Sequence, residues 1–252
     1  MATNDRLRRC GRVMLRAFNR LLLKRGPRPH LTGDLDDVVV ALLRREQEPT
    51  DISDHLLAIH AETVEAGPRL IVELGTRGGE STDALIHAAD RTDALVLSID
   101  INNCSESADS TRWAFVQQDD VDFAARFPDW ARSRGLEPRV DVLFIDSSHE
   151  YQHTLEEIDA WFPHLAPSAK VILHDTNLRP WYFRRNRTVG HGWRNRRGVI
   201  RALEEFLGVR IDETVAFTVV LGPWLVRHTP ACNGLTVLRR LPPLPAGPLP
   251  TP

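Results

Sequence analysis

The chain has 252 residues, 42% of them hydrophobic and 26% charged, and a net charge of -2. It is long enough to bury a substantial core as one α/β domain with extensions, and its charge gives no global argument for nucleic acid. Cys10, Cys104 and Cys232 are too widely spaced for a disulfide framework or a Cys-x-x-Cys metal site, and no apolar run approaches the ~20 residues of a membrane span.

Residues 6–26 read as a basic amphipathic helix, with Leu7, Val13, Leu15, Phe18, Leu21 and Leu22 apolar and arginines interleaved. Arg16 and Arg20 interrupt any signal-peptide core. Such a helix suits a membrane surface or a partner. The plainer reading, a helix packed on the domain or on a second subunit, is preferred. Residues 36–45 and 52–66 follow as helices.

The first strong strand is Arg69 to Leu74. The turn Gly75-Thr76-Arg77-Gly78-Gly79-Glu80-Ser81 and a helix from Thr82 to Ala89 come next. Strand, glycine turn and helix is a nucleotide-binding start, because glycine lets backbone approach a ligand at a helix N-terminus. The spacing is not Gly-x-Gly-x-x-Gly, which disfavours a dinucleotide. A second strand, Ala94 to Ile99, ends at Asp100, an acid well placed for ribose hydroxyls. A third, Phe115-Val116, leads to Gln118, Asp119 and Asp120.

Val140 to Ile145 is apolar enough for a strand buried on both faces, and it ends at Asp146. Leu155, Ile158, Phe162 and Leu165 mark one helical stripe, which Pro163 and Pro167 bring to an end. Val171 to Leu173 is a further strand, ending at His174-Asp175. In a right-handed β-α-β unit both carboxyl ends emerge on one edge, where open α/β sheets bind ligands. Asp146, His149, His174 and Asp175 therefore converge there. Across the chain Glu73, Asp100, Asp119, Asp146 and Asp175 all stand at or near strand ends.

Residues 177–198 are rich in arginine and aromatics and leave directly from that edge, so they are read as a substrate lid. Trp181, Tyr182, His191 and Trp193 are its candidate substrate residues, with rings suited to stacking on a sugar, and its arginines suit an anionic group. A helix, Val199 to Leu207, and two closing strands, Ala216 to Leu221 and Leu235 to Leu238, complete the fold. The proline-rich tail 241–252 is read as disordered.

The segments IVELGTRGGEST, LSID, VLFIDSSHEY and VILHDT resemble class I S-adenosylmethionine (SAM)-dependent methyltransferases. They are similar in particular to the group of macrolide-sugar and rhamnosyl O-methyltransferases and cephalosporin-hydroxylase-like proteins. The resemblance covers roughly residues 51–207. It implies a Rossmann-like α/β fold with a mostly parallel seven-stranded sheet and helices on both faces, set in a domain over 31–240. It implies SAM binding by Glu73, Gly75, Thr76, Arg77, Gly79, Ser81, Asp100 and Asp119, and Mg²⁺ binding by Asp146, His174 and Asp175. His174 stands where the family carries an acid, and Mg²⁺ prefers oxygen. It is thus a weaker ligand, an outer residue or no ligand.

The expected activity is O-methylation of a sugar hydroxyl, with Asp146 and His149 catalytic, His149 as general base and His153 as runner-up. Acceptors to consider are an antibiotic deoxysugar, a glycolipid sugar or a methylated mannose oligosaccharide of the mycobacterial kind. A phenol or catechol acceptor, a non-catalytic SAM-binding homologue and an Fe(II) oxygenase built on His149, His174 and an aspartate are the alternatives. The expectation also includes a cytoplasmic homodimer with no nucleic-acid partner.

Overall fold

The computed structural model describes residues 13–22, 36–192 and 195–242. The outer parts of the N-terminal helix, Trp193 and most of the proline-rich tail lie outside the described residues. Within them α1 spans 13–22. Then come α2 (Asp37–Arg45), α3 (Leu56–Ala66), β1 (Leu70–Leu74), α4 (Glu80–Thr92), β2 (Leu95–Asp100) and β3 (Trp113–Gln117). The chain continues through α5 (Asp120–Ala124), α6 (Phe127–Ser133), β4 (Val140–Ile145), α7 (Tyr151–Trp161) and β5 (Leu165–His174). A hairpin of β6 (Trp181–Phe183) and β7 (Val189–His191) precedes α8 (Gly198–Leu207), β8 (Phe217–Leu221), β9 (Trp224–Thr229) and β10 (Leu235–Arg240). No described helix is long and apolar enough to cross a membrane.

The main sheet has the order β3-β2-β1-β4-β5-β10-β9-β8. The first five strands are parallel, and β10, β9 and β8 add on antiparallel. The fold is therefore the expected Rossmann-like one, but with eight strands. The extra strand is β9: Trp224, Val226 and His228 are buried in alternation with more open neighbours, but an apolar Leu225 on the open face and a polar His228 on the buried one hide that period in the sequence. It lies between the two strands read over 216–221 and 235–238.

Alternation along the parallel strands feeds two cores. Leu143 and Ile145 face a layer built with Phe123, Phe127, Trp161 and Leu203, under α5 to α8. Val142 and Phe144 face the other, with Leu42, Leu56, Ile59 and Leu85 from α2 to α4. This two-sided burial is why β1 and β4 read as continuous apolar runs. Each fully buried side chain of this kind contributes about 1.5–3 kcal/mol, so Phe144→Ala is expected to cost about 3–5 kcal/mol.

Helix limits follow from local chemistry. Asp36 caps α2 by accepting from the Val38 amide at 2.9 Å. Gly67, at φ 57°, stops α3 in the left-handed region. The expected helix over 52–66 begins instead with a 3₁₀ turn, Ser53–His55, whose His55 ring meets that of His174. The helix after β4 ends at Trp161, and Pro163 falls in the 3₁₀ turn that follows.

Candidate active site

The carboxyl ends of β1, β2, β4 and β5 open on one edge, as parallel topology requires. The turn after β1 has two demanding positions. Gly75, at φ 89°, lies so close to the end of β4 that an added Cβ would stand 2.4 Å from the Asp146 carbonyl oxygen. Gly79, at φ 79°, forms the N-cap of α4. Both positions exclude ordinary side chains. Asp100 then ties the turn to β2. One of its oxygens accepts from the Thr76 and Arg77 amides at 2.9 and 3.1 Å, and the other from the Asn102 amide and side chain. Burial opposes its charge, but these donors outweigh burial and lower its pKa.

Glu73 and Ser81 do not occupy the places expected for cofactor contacts. Glu73 is fully buried beneath the turn and accepts hydrogen bonds from the hydroxyls of Ser81, Thr82 and Ser98 at 2.6, 2.7 and 2.5 Å. Burial pushes its pKa up to about 7 despite those donors. Its role in this geometry is to hold the turn from below. Thr76 presents a buried hydroxyl with no hydrogen-bond partner. An unmatched polar atom in a glycine cradle at the start of α4 fits a polar ligand such as the amino-acid end of SAM. Asp119 caps α5 by accepting from the Asp122 amide at 3.1 Å.

Across the cleft, Asp146, His149 and Asp175 each offer a ligand atom within 4.8 Å of the others. His149 lies between the two acids: Nε2 is 3.3 Å from Asp175 and Nδ1 is 3.8 Å from Asp146. Both His149 and Asp175 have left-handed backbone, at φ 60° and 55°, a conformation that costs energy for residues with a Cβ and recurs at functional sites. His149 is held by its carbonyl, which accepts from the Asn195 side chain at 3.0 Å. Gly198 is required beside it, because a Cβ there would stand 2.3 Å from that carbonyl oxygen.

The expected metal set is corrected at His174. This ring is buried, its Nδ1 is 3.0 Å from Asp146 and 3.4 Å from Asp175, and its Nε2 has no hydrogen-bond partner. It stands behind the acids as their counter-charge and is not in the ligand group. Burial works against its protonation, yet Asp175 and Asp146 outweigh burial and raise its pKa to about 10. Asp175 is raised by its own burial. Two carboxylates beside an imidazole, with one Asp175 oxygen left unpartnered, are a donor set that fits a divalent cation.

His153 points elsewhere. Its Nε2 is 3.1 Å from Asp120 and 3.9 Å from the buried Glu157, and hydrogen bonding to Asp120 lifts its pKa to about 9. An imidazole already protonated is a poor base, so the runner-up role falls away. Asp119, Asp120 and His153 form a second group that could hold a cation.

The lid is also revised. Tyr182 is buried, packs directly on Gly190 and accepts a hydrogen bond from Arg184 at 3.0 Å, so it is part of the hairpin's inner face. Trp181 and His191 lie on the outer face with their rings edge-on at 4.7 Å. Three of the arginines expected to meet an anion are committed: Arg184 donates to the Thr50 carbonyl, Arg185 donates to Asp54, and Arg197 pairs with Glu204 and Glu213.

Sequence reasoning missed the wall against which the lid hairpin is fastened. Arg77 forms a two-bonded ion pair with Asp51 at 2.7 and 2.5 Å, so it spans from the glycine turn to this wall. The pair holds Asp51 down at about pKa 2 against the effect of burial. His55 is buried and edge-on to His174 at 5.6 Å; its Nε2 meets the Ala231 and Cys232 carbonyls, and burial lowers its pKa to about 3. The polar run Asp51, Ser53, Asp54 and His55 ahead of an apolar helix was the available signal.

A family model described as a methyltransferase domain matches residues 72–176, from β1 through β5 and both sides of this cleft. No curated protein matches the chain. Solved structures share the fold at low identity. The O-methyltransferase TomG of Streptomyces achromogenes, in complex with SAM, is 17% identical, with TM-score 0.52, over 84% of this chain and 92% of that one. CalS11, a TDP-rhamnose 3'-O-methyltransferase of calicheamicin biosynthesis, is 16% identical, with TM-score 0.51, over 90% and 93%. MycE, a methyltransferase of mycinamycin biosynthesis in complex with Mg and S-adenosylhomocysteine, is 17% identical, with TM-score 0.51, over 88% and 58%. Residues 72–176 are thus similar to a methyltransferase domain, and the Rossmann-like fold is one that these solved methyltransferases share.

Proposed function

We propose that the chain transfers the methyl group of SAM to a hydroxyl of a sugar, free or carried on a larger molecule, with His149 as general base. The observation that carries this reading is the meeting of Asp146, His149 and Asp175 beside the glycine turn. A sugar hydroxyl is a weak nucleophile until it loses its proton. His149, placed between two carboxylates, takes that proton, and Asp175 at 3.3 Å stabilises the imidazolium that results. The oxygen lone pair then forms the new bond to the methyl carbon while the sulfur keeps the electrons of the bond that breaks. The turn at Gly75–Gly79 and the Thr76 hydroxyl hold and orient the cofactor, and Asp100 takes its ribose, replacing the Asn102 side chain as partner. A divalent cation held by Asp146 and Asp175 would lower the pKa of the acceptor hydroxyl. His174 behind them orients Asp146. The sugar-acting relative CalS11 and the Mg-containing MycE support the acceptor class and the cation.

Calorimetric titration with SAM and S-adenosylhomocysteine, with and without Mg²⁺, tests the cofactor; a nucleotide-sugar acceptor panel with methyl counting by mass spectrometry tests the acceptor. Binding of both nucleotides and methylation of a sugar are expected. Turnover of a phenol or catechol with no sugar accepted would replace the sugar reading.

A further inference from the structure

Helix α1 is attached to the domain in an unusual sense. Leu15, Asn19 and Leu22 form its inner stripe, and the buried residue among them is the polar one, Asn19. Its side-chain amide donates to the Val189 carbonyl at 2.8 Å and accepts from the Val189 amide at 3.0 Å. The helix is therefore hung from the backbone of β7 by two hydrogen bonds. At 3.6 residues per turn, Met14, Phe18 and Leu21 make the next stripe on one side, and Arg16 and Arg20 lie on the other. All five are exposed.

The hairpin continues the same character. Val189, the anchor, pairs in register with Phe183, and His191 pairs with Trp181. Phe183 and Trp181 stand on the hairpin's open face. Met14, Phe18, Leu21, Trp181 and Phe183 are each between 50% and 73% exposed. An isolated exposed apolar residue needs no explanation, but a helix that turns its apolar stripe outward beside two exposed aromatics does. Charge decides what would cover it. Residues 6–25 carry eight arginines and lysines and no acid, although the whole chain has a net charge of -2. A second copy docking through this face about a two-fold axis would bring like charges together. A surface rich in anionic headgroups would meet the arginines while leucine, phenylalanine and tryptophan enter the boundary of the acyl chains.

We propose that this face, α1 with the outer side of the β6–β7 hairpin, docks on an anionic lipid bilayer surface. It takes up the membrane-surface reading of the helix, whose inner stripe rests on the domain through Asn19. It does not depend on the acceptor assignment.

Co-sedimentation of the full chain with vesicles of phosphatidylglycerol and phosphatidylcholine in equal parts, and with phosphatidylcholine alone, tests the proposal. Multi-angle light scattering of each variant runs alongside. Binding only to the anionic vesicles, weakening with salt, is expected. Arg16→Glu with Arg20→Glu should weaken it more than about tenfold, and Phe18→Glu with Leu21→Glu should abolish it. All four positions are exposed, so circular dichroism and thermal melting should match the parent chain. Equal sedimentation with and without anionic vesicles would overturn the proposal. So would a parent dimer that the Phe18 and Leu21 changes convert to monomer without altering vesicle binding, because the face would then join two subunits.

Discussion

The two halves of the cleft differ in how far their polar atoms are matched. On the cofactor side Glu73 accepts from three hydroxyls, and Asp100 accepts from three backbone amides and one side chain, leaving the Thr76 hydroxyl unmatched. On the acceptor side Asp146, His149, His174 and Asp175 chiefly face one another, and His174 Nε2 and Asp175 Oδ1 lack hydrogen-bond partners. A matched set fixes a shape before any ligand arrives. A charge-crowded set holds protons loosely assigned among its members, which is what proton abstraction requires. Damage on the first side should therefore appear as lost cofactor binding, and damage at His149 on the second as lost turnover.

The sharpest test is His149→Ala. We expect turnover to fall by about 10²–10⁴-fold while the affinity for S-adenosylhomocysteine, measured by calorimetry, stays within error. A matching fall in cofactor affinity would erase the distinction between the halves.

His174→Leu asks whether the acceptor side also carries stability. The change leaves Asp146 and Asp175 buried without their cation, and removing one partner of a buried pair costs about 3–5 kcal/mol. A denaturant melt at neutral pH is the measurement. The cost should be full below about pH 6.5, shrink steadily as pH rises from there, and be lost above about 10, where the parent histidine gives up its own proton. A chain of unchanged stability would mean that the two acids already share a proton and need no counter-charge.

Asp100→Ala probes the matched side. Hydrogen bonds to a charged group are worth about 1.5–3 kcal/mol, so cofactor affinity should weaken roughly 10- to 100-fold. Stability should fall as well, since the Thr76 and Arg77 amides lose their acceptor. Turnover at saturating cofactor should change less than affinity.

How much of this was legible in the sequence depended on whether a residue's partners were near it in the chain. β1, β4 and β5 were clear because both faces are buried and the apolar run is unbroken, and Asp146, His149 and Asp175 could be brought together from topology alone. Glu73 and Ser81 were placed in contact with the cofactor by the family resemblance alone. Only the fold shows that they satisfy each other. The Arg77–Asp51 pair and His55 against His174 join residues far apart in the chain, with no periodicity to announce them. The lid arginines looked free for an anion because their acceptors, such as the Thr50 carbonyl, are backbone atoms that carry no sequence signal.

The smallest expected effect concerns Glu73. Its pKa is raised from 4.5 to about 7 by burial, so the folded chain keeps a proton that the unfolded chain has lost between those values. The unfolded state then binds fewer protons, and stability must fall as pH rises through that window. Glu73→Gln cannot ionise. It keeps an oxygen for the hydroxyls of Ser81, Thr82 and Ser98 but loses the charge that strengthens those bonds once the parent acid is ionised. The two changes oppose each other, leaving a net gain of about 1 kcal/mol above the window, which corresponds to roughly 2–4 °C in Tm for a chain of this size. Thermal melts at pH 5 and pH 8 should show a shallower decline for the variant than for the parent. An unchanged slope would mean that the three hydroxyls already hold Glu73 ionised at pH 5, and the matched side would then be better matched than its burial suggests.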